Sequence, residues 1–237
     1  MATGLQIERP APAVVVATIA RPPDNAFTVE MCRELSSLLT HPPEGAHLLR
    51  LRADGPAFCR GREPSPGGAP AARTMVAALT DVTRGLAETS LVTIAEVDGD
   101  AAGFGVGLVA QCDVAVASSR SRFWFPEVSR ALAPALVLSW LPRTVGRRQA
   151  FWLTASGSTL GAAEAQQLGL VNFVVEPAAL AARVDEVMAT LSQYPAAVHA
   201  EIKRDLRDFD QAGPVAAYRM AGDRLLWADV AGDTAAG

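Results

Sequence analysis

Residues 91–130 read LVTIAEVDGDAAGFGVGLVAQCDVAVASSRSRFWFPEVSR. An apolar β-type run, Leu91 to Val97, breaks at Asp98-Gly99 and enters Gly103-Phe104-Gly105-Val106-Gly107. A helical apolar segment then leads to Cys112-Asp113 and a second β-type run, Val114 to Ala117. Glycines placed after a strand and before a helix let the backbone approach a ligand closely, and the N–H groups that open a helix favour negative charge. Such a turn holds either a phosphate or the oxyanion of a polarised carbonyl. A purely structural role, easing tight helix–strand packing, is the competing explanation.

The spacing argues against a dinucleotide. Gly103, Gly105 and Gly107 form G-x-G-x-G, whereas the dinucleotide fingerprint needs glycine where Leu108 stands. A phosphate loop with Gly-Lys-Ser/Thr is impossible, because the chain's sole lysine is Lys203.

Further motifs stand in a fixed order around the glycine turn. Upstream lie Arg21-Pro22-Pro23-Asp24-Asn25-Ala26 and Phe58-Cys59-Arg60-Gly61-Arg62-Glu63. Downstream lie Ala117-Ser118, Phe123-Trp124-Phe125-Pro126-Glu127, Leu153-Thr154-Ala155-Ser156-Gly157, and the segment Ala162 to Val171. In this order and spacing the chain resembles the crotonase (enoyl-CoA hydratase/isomerase) superfamily from about residue 5 to residue 210. The resemblance implies an α/β fold, a crotonase-like spiral of ββα units with a helical C-terminal region. It divides the chain into a core domain over residues 1–193 and a helical oligomerisation region over 194–237. That last region lacks the usual Phe-x-x-Lys-Arg close, so it is expected to be shortened.

The same resemblance implies chemistry. Two backbone N–H groups, at Arg60 and Phe104, polarise a thioester carbonyl, and Glu127 moves a proton on the acyl carbons. Gly103, Gly105, Gly107, Trp124, Phe125 and Ala135 are implied to shape the substrate pocket. Hydratases of the family place glutamates at the seats of Gly107 and Glu127, and a branch of isomerases uses the seat of Ala135. Of these three only Glu127 carries an acid. The expectation is therefore an enoyl isomerase or hydratase-like lyase with one glutamate, acting on an acyl-CoA or acyl-carrier-protein thioester. No cofactor beyond the coenzyme A or phosphopantetheine arm, and no metal, is implied. The expected assembly is a homotrimer or hexamer. The alternative is a non-catalytic crotonase-fold subunit, suggested by the two empty seats and the altered Arg62-Glu63 loop.

Composition agrees with a large buried core. Of 237 residues 50% are hydrophobic and 19% charged, which rules against a disordered chain. The formal charge of −4, with no basic stripe, argues against nucleic acid. Cys32, Cys59 and Cys112 are too few and too irregular for a disulfide framework or zinc site and are read as buried small side chains. No apolar run reaches the roughly 18 residues of a membrane span and no charged-then-apolar leader opens the chain, so a cytoplasmic protein is expected.

Periodicity predicts strands at Leu5–Glu8, Ala13–Ile19, His47–Ala53 and Val171–Val175. It predicts helices over Val29–Leu39 with Thr28 as N-cap, Ala71–Ala87, Leu132–Leu141, Arg143–Leu153 and Ala178–Ser192, with later helices opening at Pro195 and Pro214. Residues between Asp54 and Pro70 read as a Gly-, Pro- and Arg-rich loop. Glu96 and Asp100 are the alternative acids. His41, His47 and His199 show no triad spacing, and Lys203 is assigned to the surface.

Overall fold

The opening strand pair lies wholly in one sheet, and the ββα units that follow send one strand into each of two sheets before the helix begins. In the computed structural model, residues 3–235 are described, with side chains as far as residue 224. The larger sheet holds β1 (Leu5–Ala11), β2 (Val14–Ile19), β3 (Leu48–Ala53), β5 (Val92–Val97), β7 (Val114–Ser118) and β10 (Phe173–Val175), in that order. Only the β1–β2 hairpin is antiparallel; the other pairs run parallel. The smaller sheet holds β4 (Ala57–Cys59), β6 (Asp100–Ala102), β8 (Arg122–Trp124) and β9 (Leu160–Gly161). Thus β3 and β4 precede α2 (Gly68–Glu88), and β5 and β6 precede α3 (Phe104–Gln111). The spiral that the motifs imply is the architecture observed.

Both faces of the larger sheet are covered, which is why its strands read as apolar runs and not as alternating ones. On one face Val15, Leu49, Leu51 and Val97 pack with α1 (Val29–Thr40), α2 and α3; on the other Leu48, Ile94 and Val116 meet Leu180 and Val184 of α8 (Leu180–Leu191). Thr28 caps α1 by accepting from the Met31 N–H at 3.1 Å, and Met31, Cys32, Leu35, Leu38 and Leu39 are buried. In α2 the buried stripe is Met75, Ala78, Leu79, Val82 and Leu86, and Val76 is 56% exposed.

Three departures from the predicted elements have local causes. The segment 54–70 is not all loop, because it contains β4, whose three residues are too few to show an alternating pattern. The predicted helices over 132–141 and 143–153 are broken into α4 (Ala135–Leu138), α5 (Leu141–Val145) and α6 (Arg147–Ser156). Pro134 and Pro142 remove helix donors, and Gly146 at φ 77° leaves the helical region altogether. A short α7 (Ala162–Gln167) then follows β9.

Of the C-terminal helices, α9 (Ala196–Ala212) has no buried residue, and α10 (Pro214–Ala235) has none over residues 214–224. Polar contacts hold α9, among them those of Lys203 and His199. Lys203 is not a free surface residue: its Nζ donates to the Leu91 carbonyl and the Asp113 carboxylate, each at 2.6 Å, and its side chain is 11% exposed. His199 Nδ1 lies 2.9 Å from His47 Nε2, with the rings stacked. The expected tail shortening around Asp229–Gly232 lies outside the described side chains. No helix among the described residues is long and apolar enough to cross a membrane.

Candidate active site

The strand-to-helix turn of the quoted stretch carries the site. β6 ends at Ala102, and Gly103 takes φ 53° and ψ −115°, angles that a side chain would strain. Its N–H donates to the Trp124 carbonyl at 3.0 Å, fixing the turn against β8. A Cβ at Gly103 would stand 2.7 Å from Glu127 Oε1, so glycine is what lets that carboxylate reach the turn. Phe104 then opens α3, where a helix has no internal partner for its N–H. The turn thus presents an open donor beside a carboxylate.

Glu127 sits in the one-turn 3-10 helix Pro126–Arg130. Its Oε2 is buried with no hydrogen-bond partner among the described residues. Burial pushes the carboxyl above its ordinary range, opposed by the Glu127 backbone N–H and by the charges of Arg130 and Arg62. A partly desolvated carboxyl of this kind accepts and returns a proton more readily near neutral pH than an exposed one.

These groups line one cavity of about 330 Å³. Val76, Leu79 and Thr83 come from α2; Phe104, Gly107 and Gln111 from α3; Leu136, Val137 and Trp140 from the segment around α4. Gly103, Glu127 and Ala135 also lie on its wall, so these three expected residues meet there with Phe104 and Gly107, and Arg60 lies on the wall as well.

Four expected residues do other work. The Arg60 backbone N–H already donates to the Asp24 carbonyl at 2.9 Å, which corrects its assignment as an oxyanion donor. Further along the same loop, the Phe27 N–H donates to the Gly61 carbonyl and the Glu63 N–H to the Phe27 carbonyl, each at 3.0 Å. That pattern turns the N–H of Arg62 away from Phe27, and it has no backbone partner among the described residues. Gly105 is a packing residue, because a Cβ there would fall 1.9 Å from the Cys59 carbonyl oxygen. Phe125 is 2% exposed and sits in the core with its ring 6.5 Å from that of Trp140. Trp124 belongs to β8 and, like Phe125, is not on the cavity wall. Trp140, which the motif pattern did not single out, lines it together with Phe104.

The alternative acids are committed elsewhere. Glu96 pairs with Arg50. Asp100 pairs with Arg60 at 2.6 Å and with Arg122 at 2.9 Å. Burial raises the Asp100 pKa, but the Arg122 and Arg60 contacts outweigh it and hold the carboxyl below its ordinary value. Other motif residues prove structural. Asn25 is fully buried and donates to the Asp54 and Ala57 carbonyls while accepting from the Arg21 N–H. Asp113 accepts from the Thr93 N–H and hydroxyl as well as from Lys203. Burial pushes the thiols of Cys32, Cys59 and Cys112 up to about 12, which leaves them inert.

Two interleaved sheets, a glycine turn with an open N–H, and a carboxylate folded over it define a crotonase-type protein. The enoyl-CoA hydratase/isomerase family model matches residues 10–224, and the chain belongs to that family. Mevalonyl-coenzyme A hydratase sidH of Aspergillus fumigatus is 30% identical over 199 residues, covering 80% of this chain and 73% of that protein. Other curated relatives are matched over shorter spans, from 44% to 63% of their own length. Among solved structures, an enoyl-CoA hydratase of Mycobacterium smegmatis superposes with a TM-score of 0.87 at 30% identity, covering 94% of this chain and 90% of that one. A putative enoyl-CoA hydratase from Thermobifida fusca YX, in complex with CoA, gives 0.85 at 27% identity, covering 99% and 95%.

Proposed function

We propose that this chain is an acyl-CoA enzyme that shifts a proton between acyl carbons, an enoyl isomerase or one-base lyase, with Glu127 as its acid–base group. The carrying observation is that Glu127 is the carboxylate on the cavity wall, with Oε2 unpartnered and Oε1 against Gly103. The thioester carbonyl accepts from the N–H groups of Phe104 and Arg62. That polarisation stabilises the enolate formed when Glu127 removes a proton from carbon. The protonated Glu127, whose proton exchanges with solvent, then delivers a proton to another carbon, and the double bond moves with no net gain or loss of atoms. Losing one oxyanion donor in sites of this type costs about 2.7–4 kcal/mol of transition-state stabilisation.

Coenzyme A as the handle is supported by the names of the relatives and by the neighbour solved with CoA; a carrier-protein arm presents the same thioester. The test is solvent-deuterium incorporation into a 3-enoyl-CoA, followed by isomerisation. Glu127→Gln is expected to lose both while keeping the wild-type circular dichroism. Wild-type exchange in that variant would remove Glu127 from the mechanism.

The proposed assembly is a trimer or dimer of trimers. Its support is the exposed apolar row Tyr194, Val198, Ile202 and Leu206, spaced four residues apart leading into and along α9. Sedimentation at micromolar concentration checks it, with a monomer as the refuting result.

A further inference from the structure

The seat at Gly107 is empty of acid but not of polarity. A Cβ built there would meet Trp140 Cζ2 at 3.5 Å, Gln111 Nε2 at 3.7 Å and Trp140 Cε2 at 3.9 Å. An indole edge and a carboxamide therefore border this part of the cavity. Gln111 ends α3, is half-buried and lines the cavity wall. Its Nε2 donates to the Gly107 carbonyl at 3.2 Å. A carbonyl only accepts, so this bond identifies the nitrogen end of the amide and leaves Oε1 as the other end. None of the described residues donates to that oxygen.

Thr83, on the neighbouring helix α2, lines the same cavity and donates its hydroxyl to the Leu79 carbonyl at 3.0 Å. With its proton engaged, its free function is again to accept. Two neutral acceptors thus stand on a wall that is otherwise largely apolar. A few placed polar groups in an apolar pocket are what fix a ligand's orientation and set its specificity.

Resting on the thioester reading above, we infer that Gln111 is a specificity residue for acyl groups that carry a hydroxyl, which donates to Gln111 Oε1. A carboxylate at that point would set lone pairs against lone pairs. An ammonium beside Gln111 would lose its water, while the carboxylate among the cavity's lining residues, Glu127, stands at Gly103 and not at Gly107. The neutral donor fits, and Thr83 is a second acceptor lining the same cavity.

The test is calorimetric binding of saturated acyl-CoA thioesters of one carbon skeleton, the unsubstituted parent and its 3-, 4- and 5-hydroxy derivatives. A saturated chain has no double bond to move, so affinity is read apart from turnover. In the wild type at least one hydroxy derivative is expected to bind roughly three- to tenfold more tightly than the parent. In Q111L that ratio falls to about one. Equal binding of the parent and all three derivatives by the wild type overturns the inference. So does a preference that survives Q111L. Should Q111L not fold, the wild-type ratios together with T83V decide, since T83V is expected to reduce the preference in part and Thr83 is then the only acceptor altered. Binding of no thioester at all sinks the acyl-CoA reading itself, an outcome distinct from equal binding of all four.

Discussion

The two ends of α3's first turn make a comparison inside one cavity. At Gly103 the room left by the missing side chain is taken by a carboxylate from another segment, with Glu127 Oε1 2.7 Å from where a Cβ would stand. At Gly107, one turn later, the missing side chain is bordered by Trp140 and Gln111 and no acid approaches. On the proposed reading, one wall handles protons and the other recognises shape and neutral polarity. Two glycines four residues apart on one helix mean opposite things, and the tertiary neighbours decide which.

The largest effect expected from this contrast lies on the Glu127 wall. General acid–base help from one positioned group is worth roughly 10²–10⁴-fold, so Glu127→Gln should lose that much in isomerisation rate. The base must be ionised, and burial raises its pKa above the ordinary 4.5. The acid limb of the kcat/KM profile should accordingly lie above that value, with the rate falling about tenfold per pH unit below the limb. A limb at or below 4.5 would place the working base elsewhere.

A smaller effect is expected at Gly107. Hydration needs one group to activate water and another to protonate carbon, so the wild type should hydrate crotonyl-CoA with kcat/KM far below ~10⁶ M⁻¹s⁻¹. Gly107 has no positive φ, and the contacts a Cβ would make are ordinary van der Waals distances. Gly107→Glu is therefore expected to fold and to raise hydration about tenfold or more. Efficient hydration by the wild type would erase the contrast between the two walls.

Much of the core of the site was legible in sequence because it is local. Gly103, Phe104, Gly107 and Glu127 lie in ordered motifs, and a strand followed by glycines and a helix start already implies an open N–H near a bound carbonyl. The oxyanion loop was legible only to within two residues. Arg60 and Arg62 look equivalent in a Gly-rich segment until Asp24 claims the N–H of one of them. Gly105 and Phe125 were misassigned for the same reason. Whether a glycine faces a ligand or the Cys59 carbonyl, and whether a phenylalanine faces substrate or core, depends on partners distant in the chain.

The C-terminal contacts show the limit most plainly. His47 and His199 are 152 positions apart, and Lys203 reaches Asp113 across 90. No periodicity records such pairs. By itself the sequence determined the apolar strands of the larger sheet, the Thr28-capped helix, the glycine turn and the single acid of the site, since each follows from spacing along the chain. Only the tertiary structure decided which backbone N–H remains open, that Trp140 joins Phe104 on the cavity wall, and that a carboxamide stands beside the vacant seat. Those depend on which segments the two sheets bring together, and hydrogen bonds across them engage some groups and leave others free.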